Sequence, residues 1–282
     1  MKTSFRKKDF YRIIDQYNPS KFEIMGDRLW AKFKRPMNYL VRNRYRFFTV
    51  FRHVIDNFDL NNASFLDLGP YPGTFLRLLR YLFPSNDLKL YGAGLRASDE
   101  FKNFMGKECK ATIYEINLDP MNPDLISRNF NSLIPLNDDS IDCIYAGEII
   151  EHLTNPEWML KESYRVLKHG GRIIITTPNI TRIGNIFRLL AGRSIYERLT
   201  PIGAQDPQDE WRGHFREYSL KELTEIFSRQ GFDVVIGVYY NCHVTEMVVK
   251  NWARKIIEII KIIFSIIPHF RDDIFLVAIK SL

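Results

Sequence analysis

The sequence lacks paired cysteines and long apolar runs. Its 282 residues include three cysteines, Cys109, Cys143 and Cys242, which lie far apart and form no C-x-x-C pair. This spacing excludes a disulfide framework and a cysteine zinc site and is typical of a reducing compartment. No apolar run reaches the roughly 18 residues of a membrane span, and residues 1–16 contain no uninterrupted apolar stretch typical of a secretory signal. We therefore expect a cytoplasmic protein.

Carboxylates are missing from a stretch near the N terminus. Eight Lys or Arg residues and no Asp or Glu occur between Arg28 and His53, and the net charge of the whole chain is +7. Three interpretations remain open: helices with solvated basic faces and aromatic core contacts, a lid over an anionic acceptor, or a nucleic-acid contact. Because Pro36 interrupts the run, it is not one continuous basic helix face.

Beyond residue 60, strand-like apolar runs alternate with helical patterns. This alternation predicts an α/β fold with a seven-stranded, mostly parallel sheet and helices on both faces. We expect residues 1–60 to form a basic, aromatic helical extension and residues 61–282 to form one domain. Helices are predicted to start near Thr74, Ser98 and Asn155, and a further helix to cover 219–230. The predicted strands are 64–68, 88–93, 111–116, 141–146, 172–177, 232–240 and 273–280.

The loop after the first predicted strand, FLDLGPYPGTFLRLL (65–79), lacks the G-x-G-x-x-G pattern and the Lys-Ser/Thr of a P-loop. Pro70 and Pro72 each remove a backbone N–H donor, so the loop is poorly suited to a pyrophosphate. Gly69 and Gly73 let a ligand approach the backbone closely. The loop therefore suits a ligand that is recognised by its shape and by one carboxylate of the protein, that of Asp67. A plain tight turn is the alternative.

The later part of the chain resembles a known family. PLNDDSIDCIYAGEIIEHLTNPEWMLKESYRVLKHGGRIIITTPN (135–179) contains an E-x-x-E-H-L segment after the fourth strand and R-V-L-x-x-G-G before the fifth. These motifs are similar to those of class I S-adenosylmethionine-dependent methyltransferases, which have a Rossmann-like fold. Residues 181–194 and 213–232 resemble bacterial members associated with cell-surface polysaccharide synthesis.

The resemblance implies a cofactor, S-adenosylmethionine, and positions for its contacts. Because the transferred methyl group sits on a sulfonium, we expect no metal. The resemblance implies that Glu148 lies at the rim of the cofactor and acceptor pocket and that Asp119 contacts adenine. The remaining implied cofactor contacts are Asp67, Gly69, Tyr71, Gly73, Gly94 and Leu95.

Two of these positions depart from the family pattern. Tyr71 replaces the middle glycine of the loop, and Gly94 stands where the family has a carboxylate that holds the ribose hydroxyls. Asp99, Glu100 or backbone groups near Leu95 are candidate replacements. The departures leave two interpretations: sequence variation in a working enzyme, or a non-catalytic methyltransferase-like binding protein.

A hydroxyl acceptor requires a base, and two residues are candidates. His214 lies in a polar segment between the fifth strand and a helix, where loops often cover the acceptor, and Glu148 is its rival. The alternative for His214 is a hydrogen bond that stabilises the loop. For His152, a role in tying the strand end to the next helix is the simpler interpretation.

The acceptor and partners are expectations from the same resemblance. We expect O-methylation of a saccharide or lipid-linked glycan precursor, with an RNA or protein methyltransferase as the rival, although no RNA-binding module supports nucleic acid as the partner. The pattern NWARKIIEIIKIIFSIIP (251–268) predicts an apolar helix within an insertion at 245–268. This helix is either wedged against the sheet, or faces the inner surface of the plasma membrane or the second copy of a homodimer.

Overall fold

The computed structural model describes residues 6–25, 37–95, 97–122, 130–196, 213–242, 259 and 262–281. The chain divides into two compact units, Met1–Tyr114 and Glu115–Leu282. The predicted boundary at residue 60 is a different division and stays a prediction.

The first unit begins with helices that carry an aromatic core. In chain order, the helices and two short antiparallel strands of this part are α1 (Lys7–Gln16), β1 (Ile24–Met25), β2 (Met37–Asn38), α2 (Tyr39–Arg42) and α3 (Arg44–Asn57). Phe10 and Phe51 are fully buried and stack with ring centroids 6.0 Å apart. Arg46, one of the eight basic residues, is also buried, and its guanidinium donates to the Tyr39 hydroxyl (2.5 Å). Half of the basic run, together with Pro36, lies outside the described residues, so the choice between its three interpretations stays a prediction.

Three longer strands follow, in the spatial order β5-β4-β3. These elements are β3 (Ser64–Leu68), α4 (Thr74–Leu82), β4 (Lys89–Gly94), α5 (Asp99–Cys109) and β5 (Ala111–Glu115), whose last residue begins the second unit. β3 pairs in parallel with β4, and every residue of β3 is buried. Ser98 accepts a hydrogen bond from the Phe101 amide and starts α5, as an N-cap serine is expected to do.

The second unit holds four longer strands in the order β6-β7-β9-β8. Its elements are β6 (Ile141–Gly147), a 3-10 turn (Ile150–His152), α6 (Pro156–Val166), β7 (Leu167–Pro178), α7 (Ile183–Leu190), α8 (Leu220–Arg229), β8 (Phe232–Tyr240), a 3-10 turn (Pro268–Phe270) and β9 (Asp273–Lys280). β6 and β7 are parallel, whereas β9 runs antiparallel to both β7 and β8.

The predicted α/β architecture with seven principal strands is confirmed within the described part of the chain, with one change of boundary. β7 begins at Leu167, whereas the sequence predicts a start at residue 172. The sequence HGG (169–171) predicts a left-handed glycine cap for the helix before it. That helix instead ends at Val166 on an extended cap residue, so Gly170 does not cap it. Its positive φ of 76° lies inside the strand instead.

The predicted apolar helix at 251–268 lies mostly outside the described residues. Where the chain is described, Ile262, Ile263 and Ile266 are 62%, 56% and 76% exposed. No helix among the described residues is long and apolar enough to cross a membrane.

Candidate active site

The loop between β3 and α4 in the first unit is built on two glycines. Gly69 and Gly73 have φ values of 72° and 94°, a backbone region that strains other residues. The Gly69 amide donates to the Ala93 carbonyl (2.9 Å), which ties the loop to β4. The positive φ favours glycine at position 73, and a Cβ there would lie 2.6 Å from the Met105 sulfur, so the Met105 side chain would also have to move.

The Tyr71 side chain is compatible with the conformation of the glycine loop. Its ring packs against Phe101 and Phe22, with centroid separations of 5.4 and 6.2 Å, and the residue is 38% exposed. The phenol therefore belongs to an aromatic cluster beside α5. A side chain held there is compatible with a ligand approaching the loop backbone.

Gly94, the residue at the ribose-carboxylate position, packs against the same loop. A Cβ at Gly94 would lie 3.2 Å from the Cα of Gly69 and 3.2 Å from the Cδ of Pro70. A side chain at this position therefore requires Gly69 or Pro70 to shift by a few tenths of an ångström, and this tight packing favours glycine over the family carboxylate. Of the candidate replacements on α5, Asp99 is 95% exposed and Glu100 forms an ion pair with Lys21.

Two buried polar side chains lie at the loop. Asp67 is buried, and burial raises the pKa of its carboxyl well above the ordinary value. Thr74, the first residue of α4, has a buried hydroxyl without a hydrogen-bond partner among the described residues. Burying these two polar groups costs free energy, and a cationic, hydrogen-bonding ligand at the glycines would offset both costs. These residues therefore fit the amino-acid part of S-adenosylmethionine, while its ribose lacks the usual carboxylate.

A separate cavity of about 460 Å³ lies in the first unit near residues 84–91, which precede and begin β4. Arg80 lines it, but its guanidinium is committed to three backbone carbonyls, those of Asn86, Leu88 and Cys109. The cavity is at the opposite end of β4 from Gly94. We therefore assign it no part in the cofactor site.

In the second unit, Asp119 has a structural role that the sequence does not reveal. Its buried carboxylate accepts hydrogen bonds from the Thr154 amide (2.7 Å), the Thr154 hydroxyl (2.8 Å), the Asn155 amide (3.3 Å) and the Asn122 side chain (3.1 Å). The side chain thus ties the loop after β5 to the start of α6. The predicted contact with adenine is then better suited to the backbone beside Asp119 than to its occupied carboxylate.

Glu148 follows β6 in a strained conformation. Its φ is 56°, and its amide donates to the Thr176 carbonyl of β7 (2.8 Å). A positive φ in a residue with a Cβ is costly and occurs most often at functional sites. The 3-10 turn that follows brings Glu151 and His152 close to this position.

Glu151 is completely buried at the centre of this region. Its Oε2 accepts a hydrogen bond from the Thr177 hydroxyl (2.9 Å), and its carbonyl accepts from the amides of Phe215 (2.7 Å) and Arg216 (3.1 Å). Burial, followed by the charge of Glu148, raises the pKa of Glu151 to about 8. The carboxyl is therefore mostly protonated at neutral pH unless a cation lies beside it.

His214 joins the same cluster through the segment that packs on Glu151. Its Nδ1 lies 2.9 Å from the buried Glu217 carboxylate, which also accepts from Arg182 (2.7 Å) and Asn185 (2.8 Å). Burial lowers the pKa of His214, but the hydrogen bond to Glu217 and the nearby carboxylates outweigh it and raise the pKa overall. The His152 and His214 rings meet edge to face, with centroids 5.0 Å apart.

The predicted site residues thus fall into two groups. The first unit holds Asp67, Gly69, Tyr71, Gly73, Gly94 and Leu95 at the ends of β3 and β4, and the second brings Glu148 and His214 to one cluster. Sequence reasoning gave Glu151 no role, and for Glu217 it left acceptor binding and helix capping open. The spacings E-x-x-E-H and H-x-x-E were the available signals, since each places two ionisable side chains within one turn.

The family comparison defines the class of this protein. Residues 27–236 match the family model of a methyltransferase domain. The chain belongs to this family, which places it among the class I S-adenosylmethionine-dependent methyltransferases.

Individual relatives agree with this class. A probable S-adenosylmethionine-dependent methyltransferase of Mycolicibacterium smegmatis is 29% identical over 172 residues, 60% of this chain and 58% of the relative. The mitochondrial ubiquinone biosynthesis O-methyltransferase of Rattus norvegicus is 30% identical over 43% of this chain and 35% of its own length. The match therefore spans less than two thirds of either curated relative.

A solved structure supports the fold. An S-adenosylmethionine-dependent methyltransferase from Thermotoga maritima superposes with a TM-score of 0.52 and 14% identity, covering 96% of this chain and all of the other.

Proposed function

We propose that this protein transfers a methyl group from S-adenosylmethionine to a hydroxyl oxygen of a saccharide or lipid-linked glycan precursor. The observation that supports the oxygen acceptor is the cluster of Glu148, Glu151, His214 and Glu217 in the second unit, in which half-buried candidate bases, Glu148 and His214, lie beside two buried carboxyl groups. Family membership supports the cofactor, and the relation to an O-methyltransferase supports the acceptor atom. The glycan class rests on the resemblance of residues 181–194 and 213–232.

The cofactor's positions follow from the loop residues. We assign its methionyl part to Asp67, Gly69, Tyr71 and Gly73, its ribose to backbone near Gly94 and Leu95, and its adenine to backbone beside Asp119. Glu148 is assigned to the rim of the cofactor and acceptor pocket. When bound, the sulfonium supplies an electrophilic methyl carbon.

The chain's own residues then have two tasks. They hold the acceptor hydroxyl in line with the methyl–sulfur bond, where positioning supplies much of the rate. They also receive the hydroxyl proton as the new carbon–oxygen bond forms, and Glu148 and His214 are the candidates for that role.

Methyl-labelled cofactor tests this proposal on the full-length chain. The acceptors are lipid-linked oligosaccharide, the free oligosaccharide and total RNA, with S-adenosylhomocysteine release as a second readout. We expect label in the glycan. His214→Ala and Glu148→Gln should retain cofactor binding by calorimetry and lose transfer, whereas His169→Ala, at an exposed histidine, should retain both. Label only in RNA or protein supports the rival enzyme, and no cofactor binding at millimolar concentration supports a non-catalytic relative.

A further inference from the structure

Three side chains of the second unit converge on one point. One potential ligand atom from each of Glu151, His152 and His214 lies within 4.8 Å of the other two. The Glu151 side chain is completely buried, while those of His152 and His214 are 20% and 29% exposed. The cluster is therefore enclosed on its carboxylate side and reachable from its imidazole side.

Both imidazoles are oriented by an oxygen at Nδ1. His152 Nδ1 lies 3.3 Å from the Gly213 carbonyl oxygen, and His214 Nδ1 lies 2.9 Å from the Glu217 carboxylate. Because both of these oxygens can only accept, each Nδ1 carries the proton, and in the neutral ring Nε2 keeps its lone pair. Fixing one ring nitrogen by a carbonyl or carboxylate is the usual arrangement behind a histidine that binds a metal through the other.

Glu151 provides the independent observation. One carboxylate oxygen, Oε2, accepts from the Thr177 hydroxyl (2.9 Å), whereas Oε1 is buried and has no hydrogen-bond partner among the described residues. The nearest ring nitrogen, His152 Nε2, is 3.9 Å from Oε1, beyond hydrogen-bond range. A buried carboxylate oxygen without a donor is costly unless a cation lies beside it.

In contrast to the metal-free site expected from the sulfonium chemistry, we propose that Glu151, His152 and His214 bind one divalent transition-metal ion through Oε1 and two Nε2 atoms. Two imidazoles and one carboxylate form a ligand set that suits Zn²⁺ and its first-row neighbours. At bond lengths of about 2.0–2.2 Å, tetrahedral ligand atoms lie roughly 3.5 Å apart. The cluster thus contracts by about 1 Å on binding, and three protein ligands leave one coordination position open.

The open position has a consequence that rests on the proposed function. An acceptor hydroxyl bound there would have a lowered pKa. His214 would then be a ligand, so its proton-accepting role would pass to Glu148.

Zinc alone, titrated by calorimetry into chelator-treated full-length protein, tests the site, with Co²⁺ absorption as a second readout. We expect one ion per chain. Glu151→Gln, His152→Ala and His214→Ala should each weaken binding more than tenfold, while His169→Ala should leave it unchanged. Circular dichroism and thermal unfolding of the metal-free variants identify any loss caused by misfolding.

Three outcomes would overturn the proposal: no binding by the intact chain, unchanged binding in all three folded variants, or an equal loss in His169→Ala. Methyl transfer by metal-free protein that never binds zinc would reject the metal site alone. Zinc binding without methyl transfer to any acceptor would reject the proposed function alone.

Discussion

At the scale of single residues, Gly94 shows how a missing carboxylate can be a packing requirement. A Cβ there meets the Gly69 Cα and the Pro70 ring at 3.2 Å. We expect Gly94→Asp to lower the free energy of unfolding by about 1–3 kcal/mol, a typical cost of overpacking, without tightening S-adenosylmethionine binding. Chemical denaturation and calorimetry measure the two effects.

Two alanine variants control this experiment. Gly94→Ala should destabilise the protein through the same Cβ contact, whereas Gly106→Ala adds a Cβ that meets only the Ala111 carbonyl, at 3.9 Å, and should be neutral or stabilising. A stable Gly94→Asp protein with tighter cofactor binding would show that the family carboxylate can be restored, contrary to this account.

The buried Asp67 carboxylate is expected to lower the stability of the ligand-free protein and to strengthen its binding of S-adenosylmethionine. Its pKa is raised by burial in the folded protein, so the folded state favours the protonated form. Stability is greatest below the carboxyl's unfolded pKa of about 3.9 and decreases as the pH rises towards the folded pKa. We expect Asp67→Asn to raise the melting temperature of the ligand-free protein at neutral pH, and the gain to shrink as the pH falls towards 4.

The same variant should bind S-adenosylmethionine more weakly, because the carboxylate is the loop's predicted partner for a cationic ligand. Thermal unfolding over a pH series and calorimetry are the measurements. An unchanged affinity together with a stability gain would assign Asp67 to the fold and remove it from the site.

Part of the site could be predicted residue by residue. Glu148 and His214 follow from a motif and from a polar segment, because candidate bases carry recognisable side chains. Glu151 could not be ranked above its neighbours, since its complete burial and its contact with Thr177 depend on the tertiary fold. The structural role of Asp119 could not be predicted either, because its bonds to Thr154 join residues 35 positions apart. Its contact with adenine stays a prediction.

At the scale of elements, α8 has a complete capping box. Ser219 accepts from the Glu222 amide, and the Glu222 carboxylate accepts from the Ser219 amide (2.8 Å) and hydroxyl (2.9 Å). We expect Ser219→Ala to lower the free energy of unfolding by about 1 kcal/mol. Ser228→Ala, at an exposed position of the same helix, is the matched control and should change it little.

The capping box also predicts a dependence on pH. Burial raises the pKa of Glu222, but its bonds to Ser219 and Arg216 outweigh burial and lower the pKa overall. A depressed pKa contributes stability above the unfolded value of about 4.3, and the contribution is lost as the pH falls through the folded value. Equal acid sensitivity in Glu222→Gln and the wild type, by denaturation, would argue against this contribution.

The helices and strands were more predictable than the candidate site because residues close in sequence determine where they start and end. The predicted starts near Thr74, Ser98 and Asn155 agree with the structure. The Ser98 and Asn155 side chains cap their helices, and such caps act within a few positions, whereas α4 starts after Gly73 without a side-chain cap. The early start of β7 was missed because Gly170, read as a helix cap, instead adopts its left-handed conformation within the strand. β6 pairs with this early part, with Ile141 opposite Leu167, whereas the pairing with β9 begins at Arg172, and such pairing is not a local property.

At the scale of the whole molecule, the family match gives the class of enzyme, and the acceptor remains a proposal. Likeness at 14% identity shows an architecture that many activities share. The features that belong to this chain are its charge of +7 and the exposed isoleucines at 262–267. A basic protein with an aliphatic patch has the two properties that favour an anionic membrane surface.

We therefore expect the intact chain to float with vesicles that contain anionic lipid, and to float less with neutral vesicles or at high salt. Exchanging Ile262, Ile263 and Ile266 together for serine should reduce flotation, because each buried methylene contributes about 0.8 kcal/mol. Leu133→Ser, at a position 54% exposed elsewhere in the second unit, is the control and should float like the wild type. Equal flotation of the triple variant, or no flotation of the intact chain, would contradict a contact with the membrane. Light scattering on the same samples would then show whether the isoleucine patch joins two copies of the chain.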